Sequence, residues 1–257
     1  MSSGSRFANF PARFYLRKYY AHIGPENAAL MRAAAAAVAS LDTLGTVVEL
    51  GGGPSLCGLL AMVAATDSGP HRVVWVDIGA PNGEELAAWL RDDSAAFDWG
   101  PALRWLERET GADAHALTAR LRAAHWDVRR ADLWDGLPAG VGGVGDVVAS
   151  YFLAEAASDD ADGFVELTRR VREAARPGAR VALAYVRRSE PYRLEDATLH
   201  PAFAVDEHSL LPLLHAAGLQ FAELEVRRGP RDEPPARPGY AGLVLAHGRL
   251  REPLAGA

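Results

Sequence analysis

Three glycines and a carboxylate stand at the ends of two short apolar runs, where they could hold a nucleoside. Residues 47–50 form the first run, glycines occupy 51–53, and a helix-like segment begins at Leu56. Such glycines allow positive φ and a close approach of the backbone to a ligand, while a helix N-terminus presents free N–H groups. The second run, 72–76, ends at Asp77, where a parallel α/β sheet binds ribose hydroxyls.

The loop also indicates which nucleoside ligand to expect. Dinucleotide enzymes favour G-x-G-x-x-G, whereas this loop continues with Pro54, which has no N–H to offer a diphosphate. The pattern therefore favours a ligand without phosphates. The plainer alternatives are an ordinary glycine turn and an Asp77 that only caps the next turn.

Several segments together resemble the nicotinamide, phenylethanolamine and thioether methyltransferases. They are residues 10–20 (FPARFYLRKYY), 49–55 (ELGGGPS), Asp77 with Asn82, and 95–101 (AAFDWGP). The first and last are more specific than the glycine loop, and the resemblance runs from about residue 10 to residue 226. It implies a class I α/β fold, which is a Rossmann-like, seven-stranded, mostly parallel sheet with a terminal antiparallel hairpin and an N-terminal helical cover. It also implies S-adenosylmethionine as cofactor, S-adenosylhomocysteine as product, and a small-molecule acceptor.

The same resemblance implies where the cofactor lies. Two tyrosines of the opening segment would cover its methionine carboxylate, Asp77 and Asn82 its ribose, and the pair after the third strand its adenine. Aromatic side chains at helical spacing more often belong to a core, and Tyr19 is expected to be the core member of the three tyrosines. The cofactor-binding set is Tyr15, Tyr20, Gly51, Gly52, Gly53, Ser55, Asp77, Ile78, Asn82, Asp132, Leu133, Ser150 and Tyr151.

The acceptor side is predicted from the segments after the fourth and fifth strands. Glu155 matches the acid that meets the substrate amine in phenylethanolamine-type members, and it is a catalytic candidate together with Tyr20. A first-turn acid favoured by the helix dipole is the alternative for Glu155. Tyr185 stands where the nicotinamide branch carries an aspartate, which argues against nicotinamide as substrate. The substrate-binding set is Tyr151, Glu155, Tyr185, Arg187, Arg188 and Tyr192.

Two adjacent arginines lead to a more specific expectation about the acceptor. Arg187 and Arg188 follow the fifth strand, and a planar guanidinium there suits a carboxylate through a two-point contact. Because neighbouring side chains of an extended segment face opposite ways, one arginine would enter the pocket. The expected acceptor is then a small aromatic or amino-acid-like molecule with an acidic group. The alternative is a surface pair that offsets Glu190 and Glu195.

Composition limits the classes of partner. The chain has 257 residues with 49% hydrophobic content, and we expect one domain with an N-terminal lid (1–42), a Rossmann-like core (43–250) and a helical insertion (100–125). A net charge of -6 argues against nucleic-acid binding. A single cysteine, an N-terminus without an apolar signal and no run of membrane-spanning length predict a cytoplasmic protein. A monomer or homodimer is expected. The histidines have no metal-ligand spacing, so no metal is expected.

Hydrophobic periodicity predicts the elements that carry these residues. Helices are expected at 14–19, at 26–41 over the sheet edge, in the pocket-capping insertion 99–126, and at 207–217. Strands are expected at 47–50, 73–76, 126–130, 147–150 and 181–186, and an antiparallel pair at 221–226 and 242–246 flanks the Pro-rich loop 229–239.

Three other functions fit the same nucleoside-binding unit. They are a nicotinamide-dependent oxidoreductase, a lyase that cyclises S-adenosylmethionine with release of methylthioadenosine, and a non-catalytic cofactor sensor. Binding assays with S-adenosylhomocysteine and NAD separate the first of these from a methyltransferase. Product analysis without an acceptor separates the second, because only the cyclase then forms methylthioadenosine.

Overall fold

The computed structural model describes residues 6–193, 199–235 and 238–252. Its helices are α1 Ala12–Tyr20, α2 Pro25–Val38, α3 Cys57–Ala64, α4 Ala80–Leu90, α5 Gly100–Thr110, α6 Ala114–Arg122, α7 Ala154–Ala157, α8 Ala161–Ala174 and α9 Leu210–Ala216. Its strands are β1 Thr46–Leu50, β2 Arg72–Asp77, β3 His125–Arg130, β4 Gly145–Tyr151, β5 Ala175–Val186, β6 Tyr192–Arg193, β7 Leu199–His200, β8 Phe221–Gly229 and β9 Leu243–Leu250. All the strands predicted from the sequence are present, and only the short pair β6–β7 had no predicted counterpart.

Seven strands form one sheet in the order β3-β2-β1-β4-β5-β9-β8. Strands β1 to β5 are parallel, whereas β9 is antiparallel to both β5 and β8. The direction of winding reverses between β1 and β4, and in such sheets the ligand crevice opens outside the carboxyl ends of the strands at this point. The predicted fold class is therefore confirmed, and β1 and β4 are the strands to follow into the site.

The central strands are buried on both faces of the sheet. Val47 packs into the cluster that contains α3, whereas its neighbour Val48 packs into the cluster that contains α8. This follows from the alternation of side chains along a strand. By the same alternation, Glu49 faces the α3 side, directly before the glycine loop.

The insertion packs away from the crevice. Leu106 of α5 and Leu117 and Leu121 of α6 are buried in the cluster built around α3. No described residue of 100–125 lines the central cavity. The expectation that this insertion caps the pocket is therefore wrong, because α3 takes up its apolar face.

The N-terminal helices lie over the crevice end of the molecule. Arg13 of α1 donates two hydrogen bonds to Glu85 of α4, at 2.6 and 2.7 Å, and one to the carbonyl oxygen of Ala95. Helix α2 starts with Pro25 in its first turn, where the missing N–H costs nothing, and packs on α3, β5 and β9. Because β5 and β9 are interior strands, α2 covers a face of the sheet, and the expected position over its edge is corrected.

Candidate functional site

The loop after β1 places backbone against the cavity. Gly51 and Gly53 have φ of +62° and +57°, a conformation that L side chains rarely adopt. A Cβ on Gly52 would collide with the Trp75 indole, whereas one on Gly53 would meet nothing within 4 Å. Gly53 therefore borders open space, and the three glycines together form a side-chain-free cradle.

Asp77 closes one side of this cradle. Its carboxylate accepts hydrogen bonds from the Gly53 N–H at 2.9 Å, the Gly79 N–H at 2.7 Å and Asn82 Nδ2 at 2.9 Å. Burial raises the pKa of Asp77, and these three donors oppose the rise. The side chain thus ties the glycine loop to the start of α4, and its bonds to Gly79 and Asn82 are those that the turn-capping alternative requires.

The predicted tyrosines meet the loop from α1. Tyr20 shares hydrogen bonds with Ser55 and with Tyr15, and burial raises the pKa of both phenols. The ring centroids of Tyr15 and Tyr20 are 5.8 Å apart. Tyr19, which the sequence assigned to the core, packs against core residues and also lines the cavity.

The residue after β2 and the loop after β3 also line the cavity. Ile78, Asp132 and Leu133 all line it. The Asp132 carboxylate accepts the Trp134 N–H at 3.0 Å, and the Leu133 side chain is buried. The parallel pairing of β2 with β3 brings this loop beside Asp77, as a parallel sheet requires.

Glu155 also lines the cavity and lies in the short helix α7 after β4. Its side chain is 1% exposed, and its Oε1 accepts a hydrogen bond from the Val186 N–H at 2.8 Å. Tyr151 and Tyr192 line the same part of the cavity. The carboxylate is thus held in place by the end of β5.

Four of the predicted site residues are absent from the described lining of the cavity: Ser150, Tyr185, Arg187 and Arg188. The Ser150 hydroxyl donates to the Leu50 carbonyl oxygen at 3.1 Å. Tyr185 is buried in the cluster around α8, where its ring lies 5.2 Å from that of Phe164.

The two arginines are the other pair. Arg187 is buried and donates to both oxygens of Glu207, at 2.6 and 3.0 Å, and Arg188 pairs with Asp206 at 2.9 Å. Both guanidinium groups thus form ion pairs with acids about 20 residues further along the chain. The prediction that one of them binds an acceptor carboxylate through a two-point contact is therefore wrong. Of the alternative, a surface pair beside Glu190 and Glu195, only the exposure of Arg188 agrees with the structure, because Arg187 is buried and the acid that pairs with Arg188 is Asp206; Glu195 lies outside the described residues.

Several lining residues were missed from the sequence. Glu26 at the start of α2 accepts hydrogen bonds from the Tyr240 hydroxyl at 2.6 Å and the Asp232 N–H at 3.1 Å. These contacts join residues more than 200 positions apart, and no local signal announces them. Other missed lining residues are Phe7, Phe10, Asn27, Leu30, Glu49, Trp134, Phe152, Leu153, Ser189 and Leu243.

The charged side chains that line the cavity are all acidic. Among the described lining residues there is no lysine, arginine or histidine, whereas five carry carboxyl groups: Glu26, Glu49, Asp77, Asp132 and Glu155. Such a wall suits a cationic ligand. The described part of the chain has no group of side chains suited to a metal ion, and no helix in it is long and apolar enough to span a membrane.

The cavity fits a nucleoside that carries a positively charged, hydrogen-bonding tail. Several buried atoms of lining residues lack a hydrogen-bond partner in the described structure, among them Glu49 Oε2, Asn82 Oδ1 and the Tyr151 hydroxyl, and buried polar atoms are normally satisfied. The glycine cradle and Asp77 offer donors and acceptors at the other end. S-adenosylmethionine, which has a ribose, a sulfonium and an ammonium group, matches this set.

Comparison with known proteins gives one consistent answer. The sequence model of the NNMT/PNMT/TEMT family matches residues 2–233. The phenylethanolamine N-methyltransferase of Rattus norvegicus is 26% identical over 235 residues, which cover 85% of this chain and 80% of that protein. The nicotinamide N-methyltransferase of Homo sapiens is 24% identical over 208 residues, with coverages of 75% and 76%.

A solved structure described as a DhpI-SAM-HEP complex has the same fold. Its TM-score is 0.57 at 17% identity, and the match covers 95% of each chain. Another, the N-methyltransferase NodS from Bradyrhizobium japonicum with S-adenosylhomocysteine, has a TM-score of 0.52 at 14% identity and covers 98% of this chain and all of that one. Neither a dehydrogenase nor a cofactor-cyclising reaction gains support from these relatives.

Proposed function

Because the chain belongs to the NNMT/PNMT/TEMT family, we propose that it methylates the nitrogen of a small amine. Its family makes it an S-adenosylmethionine-dependent small-molecule methyltransferase, and the family, cofactor and reaction class expected from the sequence are confirmed. The choice of nitrogen and the amine character of the acceptor form the proposal. Relatives named for the N-methylation of phenylethanolamine, such as that of Bos taurus, support it.

The cofactor would lie across the carboxyl ends of β1 and β2. The glycine cradle would pass under its sugar, Asp77 would accept from ribose hydroxyls, and Leu133 would pack on adenine. When bound, S-adenosylmethionine supplies an electrophilic methyl group on a sulfonium, which is already a good leaving group. The chain therefore has to align the acceptor with this methyl group and exclude water.

One observation carries the choice of an amine. Glu155 is a buried carboxylate on the acceptor wall, fixed by the Val186 N–H, and no described lining residue is cationic. The amine lone pair would form the carbon–nitrogen bond while the electrons of the carbon–sulfur bond stay on sulfur. Positive charge then moves onto nitrogen, where the Glu155 carboxylate stabilises it. A carboxylate on the acceptor would instead be repelled.

The body of the acceptor is expected to be apolar. Leu30, Phe152, Val186 and Leu243 line the cavity together with Tyr192, and side chains of this kind favour an aryl or alkyl group. A chain with a net charge of -6 and a cavity of this kind favours a small-molecule acceptor over nucleic acid.

The test is an acceptor screen that measures S-adenosylhomocysteine release. Arylalkylamines should turn over, and their carboxylated counterparts should not. Glu155→Gln should lower kcat/KM for the best amine by about 10²- to 10³-fold with little change in cofactor affinity, whereas the exposed control Glu84→Gln should leave both unchanged. Turnover confined to carboxylates, thioethers or alcohols would refute the amine assignment.

A further inference from the structure

Glu49 is a buried acid that the reaction described above does not use. It lies in β1, where it pairs in register with Trp75 of β2 and Ala149 of β4. Its side chain is 1% exposed and lines the cavity, yet Oε2 has no hydrogen-bond partner in the described structure. A buried ionised carboxylate without a partner is costly.

The surroundings of Glu49 do not offset such a charge. Asp77 from β2 and the phenol of Tyr151 from β4 are close enough to interact with it, as is the thiol of Cys57 from α3, which itself adjoins Tyr20 of α1. These are all acids or neutral donors. Burial, together with Asp77, raises the pKa of Glu49 to about 8, so the carboxyl group of the ligand-free protein carries a proton at neutral pH.

The cofactor changes this balance because it brings positive charge into the same cavity. Its sulfonium and ammonium groups belong at the methionine end, which the predicted tyrosines Tyr15 and Tyr20 border. Tyr20 interacts electrostatically with Cys57, and Cys57 with Glu49, which places Glu49 toward that end of the cavity. A nearby cation favours the charged form of a carboxyl group.

We propose that Glu49 is a proton-coupled counter-ion for the cofactor: it is neutral in the ligand-free protein and loses its proton when S-adenosylmethionine binds. The O–H bond of the carboxyl group breaks, its electron pair stays on oxygen, and the proton passes to the buffer. Binding is then linked to the release of one proton. The proposal rests on the cofactor and not on the identity of the acceptor.

The experiment is isothermal titration calorimetry of S-adenosylmethionine at pH 7.0 in phosphate, HEPES and Tris. The observed enthalpy plotted against the ionisation enthalpy of the buffer gives the number of protons released. The wild-type chain should release about 0.9 proton more than Glu49→Gln, since about nine-tenths of a group with a pKa near 8 is protonated at pH 7. Wild-type affinity should rise about tenfold from pH 6 to pH 7 relative to the variant.

Two further measurements make the outcome decisive. S-adenosylhomocysteine keeps the ammonium group but has no charged sulfur. If both ligands cause proton release, the cation that pairs with Glu49 is the ammonium group. If only S-adenosylmethionine causes it, that cation is the sulfonium. Glu84→Gln, on the exposed surface, should release the same proton as wild type. If Glu49→Gln does not fold, the wild-type count decides by itself.

The proposal is overturned if wild type binds S-adenosylmethionine at pH 7 without releasing a proton, or if Glu49→Gln releases as many protons as wild type. In either case normal cofactor binding would leave the proposed methylation of an amine intact. Failure of the wild-type chain to bind the cofactor at all would instead contradict the function.

Discussion

Removal of the Asp77 carboxylate is the sharpest test of the proposed ribose site. In the structure this group accepts three hydrogen bonds, all between 2.7 and 2.9 Å, from the Gly53 and Gly79 N–H groups and from Asn82. An ionised carboxylate has about four lone-pair positions, so acceptor capacity remains for a ribose hydroxyl. Asp77→Ala removes that acceptor and also releases the glycine loop.

The magnitude follows from these contacts. A hydrogen bond to a charged group contributes about 1.5 to 3 kcal/mol, so S-adenosylmethionine should bind Asp77→Ala about 10- to 150-fold more weakly. The loss of three internal acceptors should also lower the free energy of unfolding, by about 1 to 3 kcal/mol, because buried N–H groups are left unsatisfied. Asp77→Asn should bind with intermediate affinity, since its amide can keep only part of the acceptor pattern.

Calorimetric titration of S-adenosylmethionine measures the change in affinity, and urea unfolding measures the change in stability. Asp67→Ala is the matched control, because Asp67 is an exposed aspartate in the turn after α3. A folded Asp77→Ala protein that binds the cofactor as tightly as wild type would remove Asp77 from the site. Equal weakening by Asp67→Ala would mean that the effect is not local.

Three other changes test the remaining parts of the site. Tyr15→Phe and Tyr20→Phe should each weaken the binding free energy of the cofactor by about 0.5 to 1.5 kcal/mol, and Tyr19→Phe should weaken it less. Equal losses for all three variants would mean that these tyrosines only pack against one another. The unfolding free energy of wild type should fall relative to that of Glu49→Gln from pH 5 to pH 8. The Glu49 carboxyl group of the unfolded chain loses its proton above its ordinary pKa, whereas burial raises the pKa in the folded chain to about 8 and keeps the proton on. Urea titrations that give a constant difference between the two proteins would contradict this. Residues 1–25, of which 1–5 lie outside the described part, should resist trypsin when S-adenosylhomocysteine is bound, as expected of a closing cover, and identical cleavage rates with and without it would count against a lid.

The position of the two arginines outside the cavity was not predictable from local patterns. The sequence places Arg187 and Arg188 at the right end of β5, but it cannot say whether they turn toward the cavity or toward Glu207 and Asp206. An ion pair with a fixed nearby acid satisfies a guanidinium that would otherwise be buried without a partner. That pairing depends on how the segment after β7 folds back, and Arg188 reaches it through a φ of 51°.

What the sequence determined by itself is the cluster of loops that we propose as the cofactor side. The glycine loop after β1, Asp77 at the end of β2 and the Asp132–Leu133 pair after β3 come together because parallel strands bring their carboxyl ends to one edge of the sheet. Each depends only on strand order and on residue chemistry that is local, so pattern and resemblance were enough.

Only the tertiary structure decided the remaining contacts around the cavity and its electrostatics. Glu26 meets Tyr240 across most of the chain, and Glu155 is held by the Val186 N–H, contacts that depend on how helices and loops pack over the sheet. Glu49 could be read in the sequence as an acid within an apolar strand, but its raised pKa comes from burial beside Asp77. Burial and distance between charges are properties of the packed molecule, because the same residues in an extended chain would all be solvated.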